Sequence, residues 1–375
     1  MSKCYVCDLE ITKALETDEH IILNACGGRL KSKKLICSKC NSEYGGDTDA
    51  ELARQLNFFS NFINVKRDRG KSQPVEGELT TTGEKYSLYP GGKPIISKPV
   101  FEERIEGEKT KIAIAARNKK EFQKILNGLN KKYPQLDVEK ALKHAKLEKK
   151  YLKNQLSFES TIGGEKAFRS ACKTAVNFYI YSNGDSKYIK HLISYLKGTK
   201  DLEVVWFYYP NPPLHNLEEK EVSHLLFLKG DNKEKKLYCY IEFFNVYCFL
   251  VKLNDNYLGK DIENKYCYDL IRQNELEKGI KFKLTNHELT EAFINKDIPY
   301  TFQAQKIERF LNIALKKQSS EHIGELIDLS LKNSLMKYPE GTIITHEMIN
   351  ELVAELMKQI TPFLFCKLRY KGEFK

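Results

Sequence analysis

The stretch "DEHIILNACGGRLKSKKLICSKCN", residues 18–41, joins an acidic pair to a histidine, a glycine doublet, a lysine-rich span and a Cys-x-x-Cys. A second pair, Cys4-x-x-Cys7, stands upstream, with 29 residues between the two. Each pair forms a tight knuckle that points two thiolates at one ion, and four thiolates are the set that tetrahedral zinc prefers. Cys4, Cys7, Cys37 and Cys40 are therefore expected to hold a structural Zn²⁺. The metal would supply much of the folding energy of a module too small to bury a large core. Cys26 fits neither pair and reads as a packing residue.

Within the quoted stretch, "HIIL" reads as a strand, Gly27-Gly28 as a turn and "KKLIC" as a return strand entering the second knuckle, after which Asn41 opens a helix. That order brings Glu19, His20 and Asn41 together. Downstream, "DTDAELARQLNFFSNFINV" (residues 47–65) sets Leu52, Leu56, Phe59 and Ile63 on one helical face, which closes a module over residues 1–71.

The pattern "EHII-N-GG" followed by "L-C-x-x-C-N" resembles the HNH endonuclease family with its ββα-metal fold. It is most similar to the subgroup stapled by flanking CxxC zinc knuckles. The resemblance covers residues 4–45, and "GG-x-x-A-F" at 163–168 followed by strands is also similar to C-terminal regions of bacterial proteins that carry this module. It implies His20 as general base, Glu19 as a ligand of the catalytic metal and Asn41 as the second ligand. An imidazole can take a proton from water at cellular pH. Mg²⁺ or Mn²⁺ suits a carboxylate and an amide, whereas the thiolate set suits zinc. Two positions depart from the family. Leu23 stands where a proline is common, and the asparagine that usually orients the histidine has no match among Ser32, Lys33 and Lys34; Asn24 or a backbone carbonyl could replace it. The implied activity is metal-dependent phosphodiester hydrolysis, of DNA first, in restriction, mobile-element biology or phage defence. The competing class is a treble-clef-like zinc module that docks nucleic acid or a partner without cutting.

Charge supports a polyanionic substrate. The 375 residues carry a net +11, and a basic surface gathers phosphates by releasing their counterions. Lys66, Arg67, Arg69 and Lys71, just after the module's last helix, are expected to join Arg29, Lys31, Lys33, Lys34 and Lys39 in a positive rim around His20. Residues 109–153 hold fourteen basic and four acidic residues, including an amphipathic helix that either clamps nucleic acid or serves as a connector. The longest apolar run, residues 237–253, contains Glu242 and Asn245 and is too short for a confident span. The amino terminus shows no secretory pattern, so cytoplasmic residence is expected. The partner expected is nucleic acid, with a homodimer or a partner protein as further candidates, since a symmetric double-strand cut needs two sites.

The remaining chain reads as three further parts, giving an α+β class overall. Residues 72–156 are expected to be a linker with a hairpin and the basic helical segment. Residues 157–285 form an α+β domain: a helix with Phe168, Ala171, Cys172, Ala175 and Tyr179 at helical spacing stops at Asn183-Gly184. "LEVVWFYY", "SHLLFLK", "KLYCYIEF" and "VYCFLVKL" then supply four strands of an antiparallel sheet. The sheet's tyrosines and phenylalanines read as core rather than as a base-stacking platform. Residues 286–375 are expected to be helical, in three helices.

Overall fold

A glycine doublet and two knuckles force the amino-terminal chain into tight turns, and the strands between them are accordingly short. The computed structural model describes residues 2–106, 109–146, 151–152, 154–296 and 298–372. Strand β1 (Glu19–His20) pairs antiparallel with β2 (Lys31–Ser32), Glu19 opposite Ser32 and His20 opposite Lys31. The expected strand "HIIL" ends after His20 because the chain turns through a 3-10 stretch, Asn24–Cys26. Gly27 takes φ +85°, open mainly to glycine, and a Cβ on Gly28 would lie 1.9 Å from the Ile22 carbonyl oxygen. Both glycines are therefore required. Helix α1 (Ser38–Gly46) springs from the second knuckle, so Asn41 lies inside its first turn rather than opening it. Helices α2 (Thr48–Gln55) and α3 (Asn57–Phe62) follow, with Leu52, Leu56, Phe59 and Ile63 buried as the periodicity indicated.

The stretch expected as a linker holds two sheets. Strands β3 (Val75–Leu79), β4 (Lys85–Tyr89) and β5 (Lys93–Ile96) form a meander. Strands β6 (Val100–Glu106) and β7 (Lys109–Ala115) make a separate hairpin. Helix α4 (Lys119–Lys132) is the basic amphipathic helix, capped by the Asn118 side chain, which accepts from Glu121 N–H. Helix α5 (Val138–His144) and strand β8 (Leu156–Ser157), which pairs with β3, complete this stretch. Lys149, Lys150 and Lys153 of the basic segment lie outside the described residues.

Helix α6 (Glu165–Tyr181) stops, as expected, just before Asn183, which takes φ +65°. A 3-10 stretch, Ser186–Leu192, runs into α7 (Ile193–Leu196). The four expected strands are β9 (Val205–Phe207), β10 (Ser223–Asp231), β11 (Lys236–Phe243) and β12 (Tyr247–Asn254). Two more, β13 (Ile262–Asp269) and β14 (Asn274–Glu275), extend an antiparallel sheet of order β14-β13-β10-β11-β12-β9. Helix α6 packs on β9 to β12. A cluster with Ile280, Phe282 and Leu284, together with Leu289 and Phe293 of α8 (Asn286–Ile294), gathers Leu225, Phe227, Tyr238, Tyr240 and Leu250. With neighbours on both sides, every residue of β11 is buried, which is why it reads as a near-continuous apolar run. Phe227, Tyr238, Tyr240, Phe243 and Phe249 are all fully buried and form core.

Two of the three helices expected at the carboxyl end are one, α9 (Tyr300–Leu335), since no proline and only Gly324 interrupt it. The last is α10 (His346–Gly372). The chain divides into two compact units, one of Met1–Gln73 with Ser160–Leu315 and the other of Pro74–Glu159 with Lys316–Lys375. The cysteine-knuckle module and the six-stranded sheet thus belong to one body. No described helix is long and apolar enough to cross a membrane.

Candidate functional site

The two knuckles close on each other. The sulfurs of Cys4, Cys7, Cys37 and Cys40 all lie within 4.8 Å of one another, Cys7 Sγ and Cys37 Sγ 3.8 Å apart. Zinc–sulfur bonds of about 2.3 Å in a tetrahedron place sulfurs about 3.8 Å apart, so the quartet fits a structural zinc. Cys26 lies apart and fully buried, and burial pushes its thiol up to about 12, as befits a packing residue.

Strand β1 then divides the site. Successive strand residues point to opposite faces, and the inward one is Glu19, only 2% exposed. Its Oε1 accepts from the Lys173 ammonium and from Asn177 Nδ2 (2.7 Å), both on α6. Lys173 Nζ also donates to Asp49 Oδ2 of α2 (2.7 Å), and Ser170 Oγ donates to Asp49 Oδ1 (2.6 Å). Tyr5 Oη donates to Asn177 Oδ1 (2.7 Å), and the Tyr44 ring lies beside the ammonium. Two carboxylates share one buried cation. Burial alone would lower the Lys173 ammonium, but Asp49 and Glu19 outweigh it and hold it raised. Burial pushes the Glu19 carboxyl up against the pull of that lysine. Lys166, Ser170, Lys173 and Asn177 recur at i, i+4, i+7 and i+11, so α6 presents one polar stripe to the module, where Lys166 also meets Asp47.

The outward residue is His20, whose side chain is 15% exposed. His20 Nε2 lies 3.1 Å from Asp68 Oδ2. Arg29 Nη1 donates to Asp68 Oδ1, and Lys31 Nζ donates to Asp68 Oδ2 (3.2 Å). The Asp68 N–H donates to Asn24 Oδ1 (2.8 Å), and Arg29 Nη2 to the Lys66 carbonyl (2.9 Å). These bonds, His20 first and then Lys31, hold the Asp68 carboxyl below its usual range.

The structure brings together His20, Arg29 and Lys31 from the sequence expectations. Lys33 reaches Glu16 (3.6 Å), while Lys34, Lys39, Lys66, Arg69 and Lys71 are exposed. Arg67 is half-buried and donates to the Lys71 carbonyl (3.2 Å), so it braces its loop. A divalent cation on Glu19 and Asn41 does not fit these side chains as they stand. Mg²⁺ usually keeps several waters, whereas Glu19 is closed off and already neutralised by Lys173. Asn41 Nδ2 donates to Thr17 Oγ1 (2.8 Å). Sequence reasoning missed Asp68, Asp49, Lys173 and Asn177. A lone acid inside "KRDRGK" and a polar stripe in an otherwise apolar helix were the available signals.

A thiolate quartet that fits a structural zinc, a short hairpin and a histidine at its edge make up this module. Residues 4–57 match the family model described as HNH endonuclease, so the resemblance read in the sequence holds for this segment. No curated protein and no solved structure matches the chain.

Proposed function

We propose that the chain is an HNH-type endonuclease that hydrolyses phosphodiester bonds of DNA. Residues 1–71 are its zinc-stapled ββα-metal module, residues 72–156 link it onward, and residues 157–285 and 286–375 recognise DNA, a partner or a signal. Restriction or phage defence in the cytoplasm is the setting this reading carries forward. The observation that supports it best is His20, set at the outer edge of the hairpin with one ring nitrogen on Asp68 and cationic side chains around it. His20 takes a proton from water, the water oxygen forms the new bond to phosphorus, and the P–O3′ bond breaks with its electron pair on the leaving oxygen. Arg69, Lys66 and Lys71 hold the flanking phosphates. The family generally uses a divalent metal, Mg²⁺ or Mn²⁺ in this reading, but the Glu19 carboxylate is engaged by Lys173 and is not free to hold it.

Purified protein supplied with Mg²⁺ or Mn²⁺ is expected to cut plasmid and linear DNA. A second reading, a zinc module that docks nucleic acid for a partner, is favoured by the one buried lysine that answers Glu19. Binding of DNA with no cut products under any metal supplied would select it.

A further inference from the structure

The family's orienting asparagine is missing here, yet His20 is oriented. The group on its Nε2 is Asp68, 48 residues downstream and carried on the loop that follows α3. An ionised carboxylate only accepts hydrogen bonds, so neutral His20 must carry its proton on Nε2 and leave Nδ1 free. The loop is braced to keep the carboxylate in place. Asn24 Oδ1 takes the Asp68 N–H, Arg29 ties both the carboxylate and the Lys66 carbonyl, and Arg67 ties the Lys71 carbonyl. Asn24, the side chain the sequence offered as an orienting group, acts one step removed, on the backbone of Asp68.

We propose that Asp68 is the positioning residue of His20: it accepts from Nε2–H, fixes the tautomer with Nδ1 unprotonated, and so aims Nδ1 at the attacking water. This rests on the nuclease reading of His20, and its test has a readout that does not depend on cleavage. A rival explanation of the same hydrogen bonds makes Asp68 an internal anion standing where a substrate phosphate would meet Arg29 and Lys31. The two explanations predict opposite signs for kcat when Asp68 is removed.

The experiment uses the full chain with ¹⁵N-labelled histidine, His20 being assigned by the resonance that disappears in His20→Gln. At a pH where the imidazole is neutral, the wild-type ring should be the Nε2–H tautomer. Asp68→Ala should shift it towards a mixture, and Asp68→Glu should restore it in part. Zinc content and melting temperature should not change, since Asp68 sits on the surface. In DNA cleavage, Asp68→Ala should lower kcat by about 10²-fold without raising KM, the scale expected when a reacting group loses its aim. A tautomer that Asp68→Ala leaves unchanged overturns the proposal, and so does a rise in kcat, which would select the phosphate stand-in. If the tautomer moves as stated but wild-type protein cuts nothing, the nuclease reading fails while the hold of Asp68 on His20 stands.

Discussion

Glu19 and His20 are neighbours on one short strand, and they serve opposite ends. The inner face, at Glu19, is dry and closed by Asp49, Lys173 and Asn177, three residues drawn from two other helices. The outer face, at His20, is ringed by Asp68, Arg29 and Lys31, which are in reach of solvent. A buried ion pair contributes little when compared with apolar packing, but removing one member leaves an uncompensated charge. An exposed set of ions contributes little to folding and stays within reach of a ligand in solvent. The inner face therefore behaves as an attachment of the module to α6, and the outer face is where the proposed chemistry on a phosphate would take place.

Zinc removal should have the largest effect, because both faces depend on the knuckles. Structural zinc is worth about 10–16 kcal/mol of apparent binding energy at neutral pH in small modules. Stripping it should therefore unfold the hairpin and abolish cleavage together. Metal analysis with far-UV circular dichroism checks this, and a protein without zinc whose four cysteines alkylate under native conditions would show that the knuckles hold no metal.

The next effect concerns the inner face alone. Lys173→Met should destabilise the chain by about 3–5 kcal/mol by leaving Glu19 and Asp49 buried without a cation. Denaturant melts would measure it, and an unchanged midpoint would mean that the attachment lies elsewhere. A triple variant that also replaces Glu19 and Asp49 with apolar residues of similar size should recover much of that stability.

The smallest effect belongs to the outer rim. Replacing Lys66, Arg69 and Lys71 with alanine should weaken DNA binding and flatten its salt dependence by about 0.9 in log–log slope for each phosphate that is no longer neutralised. Arg67 is left in place because it braces the loop. A slope equal to wild type would show that these three side chains face solvent only.

Much of this was readable in the residues. Cysteine spacing marked the quartet, the Gly27-Gly28 doublet marked the turn, and short apolar runs marked four strands of the larger sheet. Local patterns carry such features because knuckles, turns and strands are set by neighbours in sequence. The partners of Glu19 and His20 are set by tertiary packing instead. Lys173 lies 154 positions from Glu19, and Asp68 lies 48 from His20. In sequence, Lys173 is one lysine among many, and Asp68 is hidden by the basic residues around it. The strands of residues 75–115 were obscured by short lengths and frequent Gly and Pro, which read as a linker. The continuity of α9 was obscured because the apolar stripe changes face along it. Phe310 and Ala314 are buried, whereas Ile327 and Leu331 are exposed.

The division of labour along β1 is tested most directly by cleavage with His20→Ala. The rate of DNA cutting by this variant is compared with wild type at matched zinc content, melting temperature and DNA affinity. The rate should fall by about 10²–10⁴-fold, the usual contribution of a general base, while those three properties stay as they are. Cutting at the wild-type rate would contradict this division and place the chemistry away from the outer face.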